Sequence, residues 1–389
     1  MIHIEDIQRG PLIGRGAFGF VFKASLNVVG SNEVKAIAMK TLQPVQPGLR
    51  TREVRSIDRY CSAINKSHEP FQSAVLAYKA ALEKWRRDPL QNSCKAYFIA
   101  RQELTVMLNL KHANIMSLIG VCIQPLALIL DCAPKGALDG ILQQYRQSGF
   151  RIGPYCFQLV VLQTSRAVEY LHRNHVIYRD LKAENVLVWE FPEPTVVDSP
   201  GNTVHVKIAD YGISRISLPT GTKGFGGTEG FMAPEIMKHN GEEEYTEKVD
   251  CFSFGMFLYE LMTLRQPFEG HEAVKESILE GSRPVFTRRE VRFPSYCLDL
   301  MVLCWDQLPK VRPSASQIVS IACAPEFTHL IDVAQLSHGD NVLALVTPHD
   351  KNYESAHENL THSMLFTQSH NIHFRRNHFQ VVGHNGCVY

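Results

Sequence analysis

Four polar side chains in two short segments are of the types that a phosphoryl transfer requires. Asp180, Lys182 and Asn185 lie within six residues, and Asp210 follows 25 residues after Asn185. The carboxylate of Asp180 could accept the proton of an attacking hydroxyl, and Lys182 could neutralise a moving phosphoryl group. Asn185 and Asp210 offer oxygen ligands to Mg²⁺ between the phosphates of ATP. This order of groups predicts transfer of a phosphoryl group from ATP to a hydroxyl.

A glycine-rich segment near the start of the chain is typical of a loop that binds phosphates. Residues 14–21 read Gly-Arg-Gly-Ala-Phe-Gly-Phe-Val. In a dinucleotide-binding fold such glycines open a helix, whereas here the residues that follow are apolar and predict a loop between two strands. A glycine-rich hairpin without a ligand is the alternative. The residues expected to contact the nucleotide are Gly14, Arg15, Gly16, Ala17, Phe18, Gly19, Val21 and, on the next predicted strand, Ala38.

A lysine and a glutamate are predicted to act as a pair on that nucleotide. The strand predicted over 34–40 ends in Lys40, which would reach the α- and β-phosphates. Lys35 is the competing lysine, but it lies too early in the strand pattern. A helix predicted over 98–108 carries Glu103 as the carboxylate partner of Lys40. A glutamate that faces solvent is the alternative for Glu103.

The segment that would bind adenine follows a short apolar run. Residues 126–130 predict a buried strand, and residues 131–136 predict the hinge between two lobes. Backbone groups of Asp131 and Ala133 could then bind adenine. Further along the chain, His172 and His175 lie near the end of a predicted core helix. We interpret them as capping or solvated histidines rather than metal ligands.

Composition indicates a globular protein with a substantial core. The chain has 389 residues, of which 45% are hydrophobic, and a formal net charge of +1. This balance does not favour a nucleic-acid or membrane-surface protein. The N-terminal residues lack the pattern of a signal peptide, and no apolar run approaches the roughly 20 residues that span a bilayer. None of the ten cysteines forms a Cys-x-x-Cys pair, which predicts reduced thiols and a cytoplasmic location.

The order of these motifs, from about residue 7 to about residue 325, resembles a eukaryotic protein kinase. Within that group the chain is most similar to the leucine-rich-repeat kinases of the ROCO family. The segments that carry this resemblance are 178–180, 210–215, 227–231 and 247–250. Tyr178 and Tyr211 replace the histidine and phenylalanine of most kinases. Both replacements keep an aromatic ring, and neither removes a group that touches ATP.

The resemblance implies an α+β, bilobal fold and a serine/threonine protein kinase that uses ATP and Mg²⁺ on a protein substrate. A small β-rich N-lobe with helix C would span 7–130, and a mainly helical C-lobe would span 137–325. Lys182, two residues after Asp180, resembles the serine/threonine kinases. Glu235 is expected to pair with Arg312. The alternatives are a pseudokinase scaffold that transfers nothing and a small-molecule kinase, which Ala233-Pro234-Glu235 disfavours.

Regulation is expected through the activation segment that follows Asp210. Arg179, beside the expected base, could bind a phosphate placed on that segment. The candidate acceptors of the phosphate are Ser214, Ser217, Thr220 and Thr222.

Two stretches fall outside the kinase pattern. A helical insertion is predicted at about 44–95, where Phe71, Val75, Tyr78, Leu82 and Trp85 form one stripe of an amphipathic helix. The stripe predicts either packing on the small lobe or a helix that binds a partner or a second copy. Residues 326–389 are histidine-rich and predict a poorly ordered tail, which could be a truncated start of a WD40 propeller. His370 and His373 are a weak candidate for a metal pair.

Overall fold

The computed structural model describes residues 1–16, 19–27, 33–41, 83, 87–287, 295–323 and 381–382. These residues form two compact units. Unit one comprises Met1–Lys111, Ile115–Ala133 and Asp210–Gly212, and unit two comprises His112–Asn114, Pro134–Ala209 and Ile213–Tyr389. The chain passes between the units after Ala133, inside the predicted hinge 131–136.

Unit one is built on an antiparallel sheet of five strands. The strands are β1 (Ile7–Gly16), β2 (Gly19–Asn27), β3 (Val34–Thr41), β4 (Leu118–Cys122) and β5 (Ala127–Asp131), in the order β1-β2-β3-β5-β4. The β1–β2 hairpin closes with Gly16 opposite Gly19. Buried aliphatic side chains, among them Ile37, Met39 and Ile129, form the core under the sheet. A short 3₁₀ helix, Ile4–Asp6, precedes β1.

The α-helix that the structure describes in unit one, α1, spans Pro89–Asn109. The side chain of Asp88 caps its first turn by accepting a hydrogen bond from the backbone of Gln91, and Pro89 suits the first helical position. Residues 89–95, which the sequence placed in the insertion, are therefore the first turns of this helix. The predicted stripe at 71–85 lies outside the described residues, as does most of the insertion.

Unit two is mainly helical and is organised around one buried helix. Every residue of α5 from Val249 to Thr263 is buried, as expected for a helix that is apolar on all sides. Its described helices are α2 (Leu138–Ser148), α3 (Pro154–Arg173), α4 (Pro234–Lys238), α5 (Lys248–Thr263), α6 (Val274–Leu279), α7 (Ser295–Cys304) and α8 (Ala315–Ala322). A 3₁₀ helix covers Ala183–Asn185.

Short strands complete unit two. They are β6 (Val176–Ile177), β7 (Val186–Glu190), β8 (His205–Ile208), β9 (Arg215–Ile216), β10 (Phe286–Thr287) and β11 (Val381–Val382). β7 pairs with β8 and β6 with β9, both antiparallel, whereas β10 and β11 are parallel. Apart from Val381–Val382, the predicted tail 326–389 lies outside the described residues, and so do His370 and His373.

These elements confirm the α+β class predicted from the sequence, with one β-rich unit and one mainly helical unit. Among the helices that the structure describes, none combines the length and the apolar character that crossing a bilayer demands.

An ion pair between a buried arginine and a partly exposed glutamate ties α4 to the residues before α8. Arg312 has a fully buried side chain, and its two terminal nitrogens lie 2.7 and 2.9 Å from the oxygens of Glu235. We expect Glu235→Ala to lower the free energy of unfolding by about 3 kcal/mol, because the Arg312 charge would stay buried without its partner. Chemical denaturation measures the loss.

The matched control for this ion pair is Glu269→Ala, which breaks the exposed pair of Arg146 and Glu269. Exposed pairs of this kind contribute about 0–1 kcal/mol. Equal losses for Glu235→Ala and Glu269→Ala would contradict the assignment of a structural role to the pair of Glu235 and Arg312.

Candidate active site

Unit one holds Lys40 between two carboxylates. Lys40 Nζ lies 2.8 Å from Glu103 Oε1, 3.0 Å from Glu103 Oε2 and 2.8 Å from Asp210 Oδ1. Lys40 is 3% exposed and Glu103 is 1% exposed, so the glutamate does not face solvent. Lys35 instead pairs with Asp131 at 2.7 Å and is half exposed. The structure thus places Lys40, and not Lys35, beside Glu103.

The charge of Lys40 is stabilised by its partners. Burial by itself would lower the pKa of the Lys40 ammonium, but attraction to Glu103 and Asp210 outweighs burial and raises the pKa above its ordinary value. Burial raises the pKa of Glu103, and the Lys40 ammonium works against that rise. Lys40 is therefore a fixed cation at neutral pH.

Asp210 and Tyr211 are held by backbone geometry within the same unit. Asp210 has a φ of 59°, and its Oδ1 accepts from the backbone N–H of Gly212 at 3.3 Å. The backbone N–H of Tyr211 donates to Glu103, and the Tyr211 hydroxyl receives a hydrogen bond from the backbone of Met116. Burial raises the pKa of Tyr211 well above its ordinary value. Tyr211 stands where most kinases have phenylalanine, and its additional hydroxyl thus has a hydrogen-bond partner inside unit one.

Most of the residues expected to contact the nucleotide lie along four strands of the sheet. Gly14, Arg15 and Gly16 end β1, Gly19 and Val21 begin β2, and Ala38 lies on β3. Val21 is the register partner of Lys40. Asp131 ends β5, and Ala133 is the last residue of this stretch of unit one. Ala17 and Phe18 lie outside the described residues.

In unit two, the carboxylate of Asp180 is held by two side chains. Thr228 Oγ1 donates to Asp180 Oδ1 at 2.6 Å, and Asn185 Nδ2 donates to Asp180 Oδ2 at 2.8 Å. Lys182 Nζ lies 4.0 Å from Asp180 Oδ2 and 2.7 Å from Glu184. Asp180 is 7% exposed. A carboxylate oriented in this way suits a positioned base.

The side-chain amide of Asn185 is oriented so that its oxygen could bind magnesium. Its Nδ2 donates to both the backbone oxygen and the Oδ2 of Asp180, so its remaining polar atom is the amide oxygen. Mg²⁺ takes oxygen ligands and is commonly held by few protein groups together with phosphates. Within the described residues, no group of three or more His, Cys, Asp or Glu side chains could form a protein-only metal cage. The amide oxygen of Asn185 is a group of the type that such a magnesium–nucleotide complex would use.

A fully buried carboxylate on α5 holds the backbone beside Asp180. Asp250 Oδ2 accepts from the N–H of Tyr178 at 2.8 Å, and Oδ1 accepts from the N–H of Arg179 at 2.6 Å. Arg179 has a φ of 75°, a conformation that is costly for a residue with a β-carbon. The Tyr178 hydroxyl donates to the carbonyl of Ala209. These hydrogen bonds fix the backbone immediately before Asp180 and thereby orient the Asp180 side chain.

His172 is not the capping or solvated residue that the sequence suggested. Its Nε2 lies 2.7 Å from Asp250 Oδ2, and its side chain is 10% exposed. The tertiary fold brings α3 beside α5, which the sequence around His172 does not reveal. His175, in contrast, is exposed and has a φ of 57°.

The activation segment folds over Arg179. The guanidinium of Arg179 donates to the carbonyls of Ile213, Gly224 and Gly226 at 3.0–3.1 Å. Its Nε is buried and has no hydrogen-bond partner in the part of the chain that the structure describes. Burial lowers the pKa of Arg179 from its ordinary value. The ring of Tyr245 lies 5.7 Å from the guanidinium carbon.

Two of the four candidate phosphate acceptors are buried. Ser214 is 0% exposed and donates to the carbonyl of Tyr178, while Thr222 is 6% exposed and donates to the carbonyl of Ile216 at 2.6 Å. Ser217 is half-buried and Thr220 is exposed. The geometry therefore favours Ser217 and Thr220 over the two buried residues.

Sequence reasoning missed the roles of Thr228, Asp250 and His172. Thr228 and Asp250 lay in segments that carried the family resemblance, but no contact to Asp180 or its backbone was predicted for them. For Thr228, the only local sequence signal is its position within a glycine-rich run shortly before Ala233-Pro234-Glu235.

The chain belongs to the protein kinase domain family, whose family model matches residues 62–322. The match begins after β3, so the glycine-rich segment and Lys40 precede the matched range, and their assignment rests on the motifs and on the geometry of β1–β3.

Three relatives show which kinases the chain resembles. Leucine-rich repeat serine/threonine-protein kinase 1 of Caenorhabditis elegans is 50% identical over 336 residues, which cover 86% of this chain and 13% of the relative. The mouse protein of the same name is 38% identical over 232 residues, which cover 58% of this chain and 11% of the mouse protein. Probable serine/threonine-protein kinase roco8 of Dictyostelium discoideum is 28% identical over 226 residues, covering 56% and 12%. The predicted resemblance to leucine-rich-repeat kinases is confirmed, and the chain spans only 11–13% of the length of these relatives.

Proposed function

We propose that this chain is a serine/threonine protein kinase that transfers the γ-phosphate of ATP to a protein hydroxyl. The observation that carries the proposal is the carboxylate of Asp180, held by Thr228 and Asn185 with Lys182 at 4.0 Å. The ion pair of Lys40 and Glu103 in unit one supports it independently. The relatives are themselves named serine/threonine-protein kinases.

In this proposal the nucleotide is bound by groups of known chemistry. Backbone N–H groups of the glycine-rich segment 14–21 bind the phosphates, Lys40 binds the α- and β-phosphates, and backbone groups of Asp131 and Ala133 bind adenine. Side-chain oxygens of Asn185 and Asp210 would hold Mg²⁺. When bound, the metal neutralises charge on the phosphates.

The transfer itself is assigned to three side chains of unit two. Asp180 accepts the proton of the substrate hydroxyl, and Thr228 keeps the carboxylate of Asp180 oriented. Lys182 offsets the charge that builds on the γ-phosphoryl oxygens. Because the transition state is loose, positioning and electrostatics carry most of the catalysis.

Regulation is assigned to a phosphate on the activation segment. Within the described residues the buried Nε of Arg179 has no hydrogen-bond partner, and of the four candidate sites of phosphorylation Thr220 is exposed and Ser217 is half-buried. A phosphate on Thr220 or Ser217 would offer oxygens that accept a hydrogen bond from Arg179 Nε, and this contact would order the activation segment. Phosphopeptide mapping before and after incubation with ATP tests this assignment, and phosphate found only at other residues would exclude it.

A signalling role inside the cytoplasm is part of the same proposal. The cysteines that the structure describes are all free thiols, most of them buried, which suits a reducing compartment. Nothing in the described residues favours the pseudokinase alternative, since Asp180, Asn185 and Asp210 are all present.

The test is an assay of the purified chain with radiolabelled ATP and a generic protein substrate, followed by phosphoamino-acid analysis. We expect magnesium-dependent label on serine and threonine. Label no greater than that obtained with an Asp180→Asn variant would overturn the proposal. Label confined to tyrosine would overturn the serine/threonine assignment alone.

His172 is expected to position the active site through Asp250. In His172→Phe the buried carboxylate loses one hydrogen-bond partner, and the backbone that it holds at Tyr178 and Arg179 loosens. A hydrogen bond to a charged group is worth about 1.5–3 kcal/mol, so kcat should fall by about tenfold or more while KM for ATP changes little. Steady-state kinetics at several ATP concentrations measure both.

The conservative variant His172→Gln keeps a donor near Asp250 and should recover most of kcat. The matched control is His175→Asn, which alters an exposed histidine and keeps a residue that tolerates positive φ. A purely structural role for His172 would lower thermal stability and the active fraction without a selective effect on kcat.

A further inference from the structure

The stretch between α4 and α5 bonds the activation segment through its backbone. Thr222 and Tyr245 form an antiparallel bridge, in which the N–H of Thr222 lies 2.8 Å from the Tyr245 carbonyl and the N–H of Tyr245 lies 2.9 Å from the Thr222 carbonyl. The N–H of Gly224 donates to the carbonyl of Gly241 at 2.7 Å. Residues 241–245 therefore form a clamp that bonds the activation segment on both sides of Lys223.

The clamp approaches the segment at a glycine. A β-carbon added to Gly241 would lie 2.2 Å from the backbone nitrogen of Phe225, and Gly241 has a φ of 73°. The N–H of Gly241 donates to the carbonyl of Ile236 on α4 at 2.9 Å. The clamp is thus fixed to α4, and it lies closer to the activation segment than a residue with a β-carbon could.

The side chain of Tyr245 reaches the same part of the segment. Tyr245 is 3% exposed, and its hydroxyl donates to the carbonyl of Gly224 at 2.8 Å. That carbonyl also accepts from Arg179 Nη2 at 3.0 Å, and the Tyr245 ring lies beside the same guanidinium. Arg179 directly precedes Asp180 in the chain. A single carbonyl therefore links the clamp to the residue in front of the expected base.

These contacts use only groups of the chain itself. The side chain of Thr222 adds one more, because its Oγ1 donates to the carbonyl of Ile216 on β9 at 2.6 Å. Hydrogen bonds between buried groups are strong, since water does not compete for them. The order of residues 222–225 therefore does not depend on a phosphate, and a phosphate on Ser217 or Thr220 would act on the part of the segment that precedes them.

We propose that the clamp keeps residues 222–225 ordered before any phosphorylation, and that Tyr245 is a positioning residue that acts on Asp180 through Gly224 and Arg179. The effect on Asp180 rests on the proposed kinase function. The ordering of the segment does not, and it can be measured without any assay of activity.

The first test is brief trypsin digestion of the phosphatase-treated chain, with cleavage after Lys223 measured by peptide mass spectrometry. The Lys223 side chain is 59% exposed, but the bond to be cut lies between two clamped residues, so the backbone must open first. Cleavage after the exposed Lys310 is the internal reference. We expect Tyr245→Phe to speed cleavage after Lys223 by about threefold or more. An unchanged rate would overturn the proposal.

Two matched pairs separate the clamp from general damage. Tyr145→Phe also removes a hydroxyl that donates from a buried tyrosine to a carbonyl, that of Pro192, and it should leave cleavage after Lys223 unchanged. Gly241→Ala and Gly149→Ala carry similar backbone strain, at φ of 73° and 76°, but a β-carbon at Gly149 meets no described atom within 4 Å. Only Gly241→Ala should speed the cleavage, and equal effects of the two glycine variants would contradict the proposal.

Initial rates of the phosphatase-treated chain test the positioning role. Tyr245→Phe should lower kcat by about three- to tenfold, the worth of one hydrogen bond, with little change in KM for ATP, and Tyr145→Phe should keep wild-type kcat. Wild-type kcat in Tyr245→Phe would overturn the positioning role. A wild-type chain no more active than Asp180→Asn would instead refute the proposed kinase function, and the digestion would still decide whether the clamp orders the segment. Phosphatase treatment that speeds wild-type cleavage to the rate of Tyr245→Phe would show that a phosphate, and not the clamp, holds the segment.

Discussion

Replacing Asp180 with asparagine is expected to lower phosphoryl transfer by about 10²–10⁴-fold while the chain remains folded. The amide has the shape of the carboxylate and can still accept from Thr228, which donates to Oδ1 at 2.6 Å. It cannot accept the proton of a substrate hydroxyl. Single-turnover kinetics with radiolabelled ATP measure the loss, and nucleotide-binding and thermal-denaturation measurements should show little change.

Two further variants separate the role of Asp180 from general damage. Glu193→Gln alters an exposed carboxylate that pairs with Lys135, and it should keep wild-type turnover. Asp210→Ala should lose activity in another way, through weaker magnesium-dependent binding of nucleotide. An Asp180→Asn variant with wild-type turnover would remove Asp180 from the role of base. Tight MgATP binding by Asp210→Ala would show that the metal assignment is wrong.

The second large effect is expected at the buried pair of Lys40 and Glu103. Lys40→Met removes the cation that should bind the α- and β-phosphates, and kcat/KM is expected to fall by about 10²-fold or more. Glu103→Gln should also lower activity strongly, because Lys40 then loses its fully buried carboxylate partner and keeps only the half-buried Asp210; each carboxylate lies 2.8 Å from Lys40 Nζ. The double variant should be little worse than Lys40→Met, since the two residues act as a unit.

The control for this pair is Lys35→Met. Lys35 is half exposed and pairs with Asp131, so its loss should change kcat/KM little. The values of kcat/KM for the wild type, the two single variants and the double variant give the free energies of a double-mutant cycle for Lys40 and Glu103. Losses that simply add would show that Glu103 does not act through Lys40, and another carboxylate would then have to be found.

Local sequence accounts for the chemical groups and for the class of fold. Residue types and short spacings predict the roles of Asp180, Lys182, Asn185 and Asp210, because the protonation and metal-binding chemistry of a side chain belongs to the residue itself. Motif order and family resemblance predict the α+β class, and apolar patterning predicts several of its strands and helices. The apolar pattern predicts a helix over 98–108, whereas α1 already begins at Pro89, where the capping residue Asp88 sets its start.

Contacts between distant parts of the chain decided what the sequence left open. Lys40 and Glu103 are 63 residues apart, Asp180 and Thr228 are 48 apart, and His172 and Asp250 are 78 apart. Spacing within a helix or strand carries no information about such pairs, because they meet only when separate elements pack together. The same packing buries Ser214 and Thr222 and leaves Thr220 exposed. The sequence by itself thus determined which reaction chemistry is available, and the tertiary structure decided which residues hold those groups in place, since burial and partners are properties of the packed chain.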